Sequence, residues 1–240
     1  MQAPKHVVVV GHGMVGHRFV EALRSRDTDH TWRVTILSEE ADAAYDRVGL
    51  TGYTEHWDRA QLALPGNDYA GDNDVVLHLG LAAREFDRAA KTVTASDGTV
   101  LDYDALVLAT GSYAFVPPVP GRDLPQVHVY RTLDDLDAIR AGAEAAKATS
   151  TPVGVVIGGG LLGLEAANAL RAFGLTTHVL EMSPHLMANQ LDEASGVLLS
   201  RMIRDLGIKV HTAVATESIA PVQRHRPIRK AAEDDSMRLS

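Results

Sequence analysis

Short apolar runs alternate along this chain with stretches in which apolar residues recur every three or four positions. His6 to Val10 is a compact, β-branched run, the pattern of a strand buried on both faces. A glycine-rich turn, Gly11 to Gly16, follows, and then Phe19, Val20 and Leu23 recur at helical spacing. The polar stretch Ser25 to Thr31 ends that helix, and Val34 to Leu37 predicts a second strand closing on Ser38, Glu39 and Glu40. Between Ala41 and Asn73 glycine and proline punctuate the pattern, and only a short helix near Trp57 to Leu62 is predicted. Val75 to Leu79, Thr92 to Ala95 and Val100 to Tyr103 read as short strands, the last two joined by the hairpin signal Asp97-Gly98. Ala105 to Leu108 is another buried strand and runs into Ala109-Thr110-Gly111.

Val116 to Gly121 holds three prolines in six residues and marks a linker, because proline blocks helix and central strand alike. Thr132-Leu133-Asp134-Asp135 opens an alanine-rich helix to about Ala148. The opening pattern then returns: a strand from Val153 to Ile157, a glycine turn from Gly158 to Gly163, a helix through Phe173, and a strand from Thr177 to Leu180 ending on Glu181. An amphipathic helix from Glu193 to Leu206 stops at Gly207, and Ile208 to His211 predicts a last strand. The fold class is therefore α/β, with two Rossmann-like units in residues 1–115 and 131–220 and a linker in residues 116–130. In residues 221–240, Arg224, Arg226, Arg229 and Lys230 precede Glu233, Asp234 and Asp235, a solvated and poorly ordered tail by composition.

Composition narrows the function. The chain has 240 residues, 45% apolar and 22% charged, which excludes disorder, collagen and coiled coil as overall readings. A net charge of −8 argues against nucleic acid or an acidic membrane as the main partner, and no apolar run approaches the roughly 18 residues of a membrane span. The absence of cysteine removes disulfides, thiolate metal sites and any redox-active disulfide. Eleven histidines are scattered without metal-ligand spacing, so no metal site is expected. The run Val7 to Val10 is too short for a signal-peptide core, and a cytoplasmic protein is expected.

The two glycine turns carry the chemistry. In the first, Gly11 permits the tight turn, Gly13 lets backbone approach a pyrophosphate, and Gly16 lets the helix pack close on the sheet. Glu39 follows Gly16 by 23 residues and can take hydrogen bonds from a ribose; Glu40 is the alternative. Gly158, Gly160 and Gly163 repeat these roles, with Glu181 following by 18 residues. A carboxylate there suits the free 2′-hydroxyl of NAD and repels the 2′-phosphate of NADP, so NADH is favoured over NADPH. Two copies imply two dinucleotides, or a duplicated fold with one site lost. His12, inside the first turn, either faces a phosphate or fills a tolerant position.

With both turns and the Ala109-Thr110-Gly111 strand end in place, the chain resembles the flavoproteins that bind two dinucleotides, FAD and NAD(P)H. GHGMVGHRFVEAL, AYDRV, LVLATGS, FVPPVPG, VYRTLDDLDAIR, GGGLLGLEAANALR and LDE resemble, within that family, the N-terminal flavoprotein region of assimilatory NAD(P)H nitrite reductase large subunits. The resemblance covers about Lys5 to Ile219. It implies two three-layer domains, the NAD(P)H domain inserted into an FAD domain that is completed further along the chain by a segment absent here. It implies FAD contacts at Gly11, Gly13, Met14, Gly16, Glu39 or Glu40, Arg47, Ala83, Thr110 and Gly111. Nicotinamide-nucleotide contacts fall on Gly158, Gly160, Leu161, Gly163 and Glu181, and Glu165 faces the nicotinamide–flavin region. Gly52 stands where related proteins often place a lysine. The implied activity is hydride transfer from NADH to FAD, then electron transfer to a siroheme and iron–sulfur module or to a separate carrier. A homodimer stays open. A stand-alone rubredoxin- or ferredoxin-reductase-type flavoprotein, and a non-catalytic nucleotide-binding fragment, are the alternatives.

Overall fold

A computed structural model describes residues 3–221; the tail reading above lies almost wholly outside them. The first unit is built on β1 (Lys5–Val10), β2 (Trp32–Leu37), β3 (Val75–His78) and β7 (Ala105–Leu108), a parallel sheet in the order β3-β2-β1-β7. In register, Val10 lies beside both Leu37 of β2 and Leu108 of β7. All of these strands therefore end on one edge, and the strand order reverses at β1, where open α/β sheets bind ligands.

Both faces of β1 are covered, which explains its unbroken apolar run. Val7 and Val9 pack with Val20 and Phe19 of α1 (Met14–Arg24). Val8 packs on the opposite side with Val93 and Ala95 of a small antiparallel sheet, β4 (Ala83–Asp87), β5 (Thr92–Ala95) and β6 (Val100–Asp102). The result is three layers. The expected hairpin is present, with Gly98 at φ +89° in its turn. The polar stretch after α1 is an ordered loop: Asp27 accepts from the backbone of Thr31 and Trp32, and Arg24 pairs with Asp27, Asp72 and Asp74.

The second unit repeats the strand–helix–strand pattern in β8 (Val153–Ile157), α4 (Leu161–Ala172) and β9 (Thr176–Glu181), followed by α5 (Glu193–Asp205) and β10 (Lys209–Thr212). Its parallel sheet runs β10-β9-β8. Val179 and Val210 are buried with Leu164 and Ile203 on the helical face. On the other face Val153, Val155 and Ile157 are exposed.

The join between the units has its own core. Tyr45, Leu50 and Tyr53 are buried with Tyr130, Leu133, Leu136 and Phe173. They bring together α2 (Leu50–His56), α3 (Leu133–Lys147) and the end of α4. Trp57 stacks on Phe173 at 5.4 Å, and the Arg140 guanidinium lies over the Trp57 ring at 4.3 Å. Arg59 pairs with Asp42 of the first unit and with Asp134 and Asp137 of α3. Thr132 and Asp135 form a reciprocal capping box at the start of α3. The segment after β10 returns to the linker: Ile219 N–H donates to the Pro120 carbonyl at 2.8 Å.

Two expectations change. The helix expected near Trp57 to Leu62 lies earlier, at Leu50–His56; Trp57 is its left-handed C-cap at φ +55°, and only a 3-10 turn, Arg59–Gln61, follows. β4 was not anticipated, because its residues are mostly exposed and show no apolar alternation.

Candidate functional site

Each glycine turn lies between the carboxyl end of a strand and the first turn of a helix. Gly11 N–H donates to the Leu37 carbonyl at 2.9 Å, and Ala109 N–H to the Val10 carbonyl at 2.8 Å, so the ends of β1, β2 and β7 are tied together. Gly11 has φ +102°. A Cβ there would also run into the Ala109 carbonyl, and one at Gly16 would run into the Gly11 carbonyl. Gly13 differs: a Cβ there meets nothing within 4 Å. Gly13 is also the N-cap of α1 and supplies no side-chain acceptor, so the helix presents its first amides and the positive end of its dipole to open space. Met14, the first residue of α1, is exposed at this rim.

The second turn matches. A Cβ at Gly163 would run into the Gly158 carbonyl, while one at Gly160, the uncapped N-cap of α4, meets nothing within 4 Å. Leu161 stands exposed beside it. Gly158 N–H donates to the Leu180 carbonyl at 2.8 Å, as Gly11 does to Leu37. Glu181 closes the turn from the end of β9, accepting from Gly159 N–H and Ser183 N–H at 2.6 Å each. These hydrogen bonds hold its carboxyl below the usual range, against the opposing effect of burial. A carboxylate has about four acceptor positions, so Glu181 retains capacity for ribose hydroxyls.

The two carboxylates after β2 have separate fates. Glu40 is engaged inside the protein, accepting from the Tyr45 hydroxyl at 2.8 Å and pairing with Arg47. Glu39 is exposed, and its contact is the Tyr113 hydroxyl at 2.8 Å. Arg47 also donates to the Arg131 carbonyl, and Arg131 donates to the Ser112 carbonyl. The Tyr45-Asp46-Arg47 segment is thereby linked to the stretch after Thr110 and Gly111; Gly111 has φ +69°. Ala83 lies at the start of β4 opposite Ala95, packed on the second face of the parallel sheet. Glu165, half-buried on α4, helps raise the Tyr130 phenol, mainly shifted by burial. Tyr130 reaches Thr51, the residue before Gly52 on α2, at 3.5 Å.

His12 answers to neither of its sequence readings. Its ring is 5% exposed and turned into the protein, where Nδ1 accepts from Ala44 N–H and Nε2 meets the Tyr69 hydroxyl. Burial, with the neighbouring His17, lowers its pKa from 6.5 to about 4. Tyr69 and Tyr113 carried no motif, and only tertiary contact reveals them and the part played by His17. Among the described residues no group of three or more His, Asp or Glu side chains could hold a metal, and no helix is long and apolar enough to cross a membrane.

A parallel sheet with a glycine cradle and an acid at the next strand end, built twice, defines a dinucleotide-binding class of protein. The chain belongs to the pyridine nucleotide-disulphide oxidoreductase family, which it matches over residues 5–236. It is 50% identical over 213 residues to the NAD(P)H nitrite reductase large subunit of Klebsiella oxytoca, covering 89% of this chain and 22% of that protein. It is 41% identical to the NADH nitrite reductase large subunit of Escherichia coli K12, with 89% and 25% covered. A ferredoxin reductase from Rhodopseudomonas palustris has a similar structure, with a TM-score of 0.79, 28% identity, and 90% of this chain and 52% of that one covered. The chain thus spans about a quarter of the length of these nitrite reductases and about half of the reductase.

The glycine geometry predicts a separation of roles. Gly13→Ala folds with wild-type stability yet loses dinucleotide binding. Gly16→Ala loses several kcal/mol of stability, because the helix must move off the turn (order of magnitude about 3). Urea unfolding beside ligand titration checks both, and equal destabilisation by the two changes would refute the assignment.

His12 predicts a pH dependence. Its proton is bound more weakly in the folded state than at the ordinary 6.5, so its stabilising contribution is complete above pH 6.5 and is lost as pH falls toward 4. The full effect is about 3 kcal/mol at 1.36 kcal/mol per unit. Unfolding free energy measured from pH 7 to 4 should fall less steeply in His12→Gln than in the wild type.

Proposed function

We propose that this chain binds FAD at the first glycine turn and NADH at the second, and forms the nicotinamide-oxidising flavoprotein part of a nitrite reductase-type electron-transfer system. The observation that carries the reading is the matched pair of uncapped helix N-termini, with clear space at Gly13 and Gly160 and a carboxylate at each following strand end. Those features fit a dinucleotide at both turns: open backbone for a pyrophosphate, helix amides for its charge, an acid for the ribose. The relatives' names support the direction of the chemistry.

In this reading residues 1–115 form the FAD unit, residues 131–220 the NAD(P)H unit, and residues 116–130 the outgoing crossover. Gly11, Gly13, Met14 and Gly16 receive the FAD pyrophosphate, with Thr110 and Gly111 beside it and Ala83 on the sheet behind. Glu39 takes the ribose; Glu40 and Arg47 brace the wall through Tyr45 and Arg131. Gly158, Gly160, Leu161 and Gly163 hold the NADH pyrophosphate and Glu181 its adenosine ribose. Glu165, near the join of the units, borders the space between the nicotinamide and the flavin. When bound, the flavin supplies an acceptor for the nicotinamide hydride and passes electrons on singly. The chain's own work is to bind, orient and shield. A siroheme and iron–sulfur module or a separate electron carrier is the onward acceptor, in a cytoplasmic setting.

The decisive experiment is a titration of the apo chain with FAD, followed by anaerobic NADH. Saturable binding and bleaching of the flavin band are expected. Absence of both would reject the reading, and binding without bleaching would leave a nucleotide-binding chain without hydride transfer.

Glu181 sets the choice of nucleotide in this scheme. No arginine follows it through His185, so nothing there compensates a 2′-phosphate. Glu181→Ala should weaken NADH and narrow its advantage over NADPH by about tenfold, one charge-assisted hydrogen bond plus relieved repulsion. Comparing dissociation constants of the two nucleotides on both proteins measures it.

A further inference from the structure

Beneath the first glycine turn two imidazoles and a phenol form a chain with one direction. Ala44 N–H donates to His12 Nδ1 at 3.2 Å, so that nitrogen carries a lone pair, and the neutral ring keeps its proton on Nε2. Nε2 lies 3.2 Å from the Tyr69 hydroxyl oxygen, which accepts from it. The phenol then has its own proton for His17 Nδ1, 2.9 Å away. His17 is therefore also an Nε2–H tautomer, and that nitrogen turns toward Glu21 at 3.8 Å. Both imidazoles are buried, at 5% and 3% exposure, so a reversed proton would set donor against donor away from water.

A second observation singles out Tyr69. Its backbone has φ +53°, a left-handed conformation unfavourable for a residue with a Cβ. Such conformations persist where surrounding contacts hold them, and here the ring lies against His12 at 5.6 Å and His17 at 5.7 Å. The three side chains come from the turn, from α1 and from the loop before β3, so the chain ties the turn to the two segments beside it.

We infer that Tyr69 is a positioning residue for dinucleotide binding: its hydroxyl accepts from the Nε2–H that Ala44 leaves on His12, and that bond holds the Gly11–Gly13 backbone in the shape that receives a pyrophosphate. The inference rests on the reading of this turn as the FAD site. Tyr69 touches no ligand and acts through His12, whose backbone is the middle of the turn.

The test uses the full chain with FAD and ADP as probes, nitrogen-15 NMR of the histidine rings, and urea unfolding. In the wild type the His12 ring is expected as the Nε2–H tautomer at pH 7. Tyr69→Phe should leave His12 as the Nε2–H tautomer but shift its Nε2 signal as that hydrogen bond is lost, and should weaken FAD and ADP about tenfold, the scale of one buried hydrogen bond. His17→Asn presents an oxygen that can accept from the phenol and should stay within about threefold of wild type. His17→Leu offers no acceptor and should weaken like Tyr69→Phe. The His17 pair keeps the test decisive should Tyr69→Phe fail to fold. An Nδ1–H tautomer of His12, wild-type binding by Tyr69→Phe or His17→Leu, or equal loss in the Asn and Leu variants that follows their unfolding midpoints would each overturn the inference. A wild-type chain that binds neither probe overturns the reading of the turn itself, and the inference with it.

Discussion

The absence of a Cβ at Gly16, and again at Gly163, is the constraint on which this architecture rests. At each position the helix lies against the carbonyl of the glycine that opens the turn, closer than any side chain permits. That contact sets the helix axis relative to the sheet, and hence the direction in which the first uncapped amides point. Without it the dipole end would be displaced from the strand edge where the acids stand. The geometry is costly in backbone freedom, since Gly11 and Gly158 both adopt positive φ. It persists because the strand ends on either side are hydrogen-bonded through the turn.

The copies are alike in the turn and unlike around it. In the first, the carbonyl of Ala109 blocks the space beside Gly11, because β7 lies against β1. In the second, a Cβ at Gly158 meets nothing within 4 Å, and among the described residues β8 pairs only with β9. The faces differ in the same sense: β4 to β6 cover one side of the first sheet, while Val153, Val155 and Ile157 are exposed on the corresponding strand of the second. Acid placement differs too. Glu181 is held by two backbone amides, whereas Glu39 is exposed with a tyrosine hydroxyl as its partner. The second acid is fixed in place before any ligand arrives, and the first is held by a contact open to water.

Legibility from sequence followed burial. β1, β8 and their helices were readable because an apolar run between two covered faces, followed by glycines at fixed spacing, leaves few alternatives. The helix start at Thr132, which proves to be a capping box, and the stop at Gly207 were readable because they act through neighbours in the chain. α2 was not. Leu50 to His56 contains Gly52 and two threonines, weak helix formers, and the helix is held by Tyr53 and Leu50 packing against α3 and α4. β4 escaped because a strand with four of five residues exposed has no period to detect. In the site, spacing alone could not separate Glu39 from Glu40; the difference is the Arg47 and Tyr45 contacts, visible only in three dimensions.

The least legible region is also the one that joins the two cradles. The stretch from Ala41 to Asn73 supplies Tyr45, Leu50, Tyr53 and Trp57 to the shared core, Arg59 to the acidic residues of α3, and Tyr69 to the histidines under the first turn. None of these works through a local period, so the segment reads as irregular loop. Its residues nevertheless determine how the first unit meets α3 and α4. A buried aromatic join is directional in a way a flat apolar contact is not: Trp57 must lie between Phe173 and Arg140, which fixes both separation and rotation. Transfer between two bound dinucleotides requires their reactive rings to be held in one geometry. In the proposed reading the glycine turns are the two anchoring points, and the aromatic join and its Arg59 ion pairs set the angle between them.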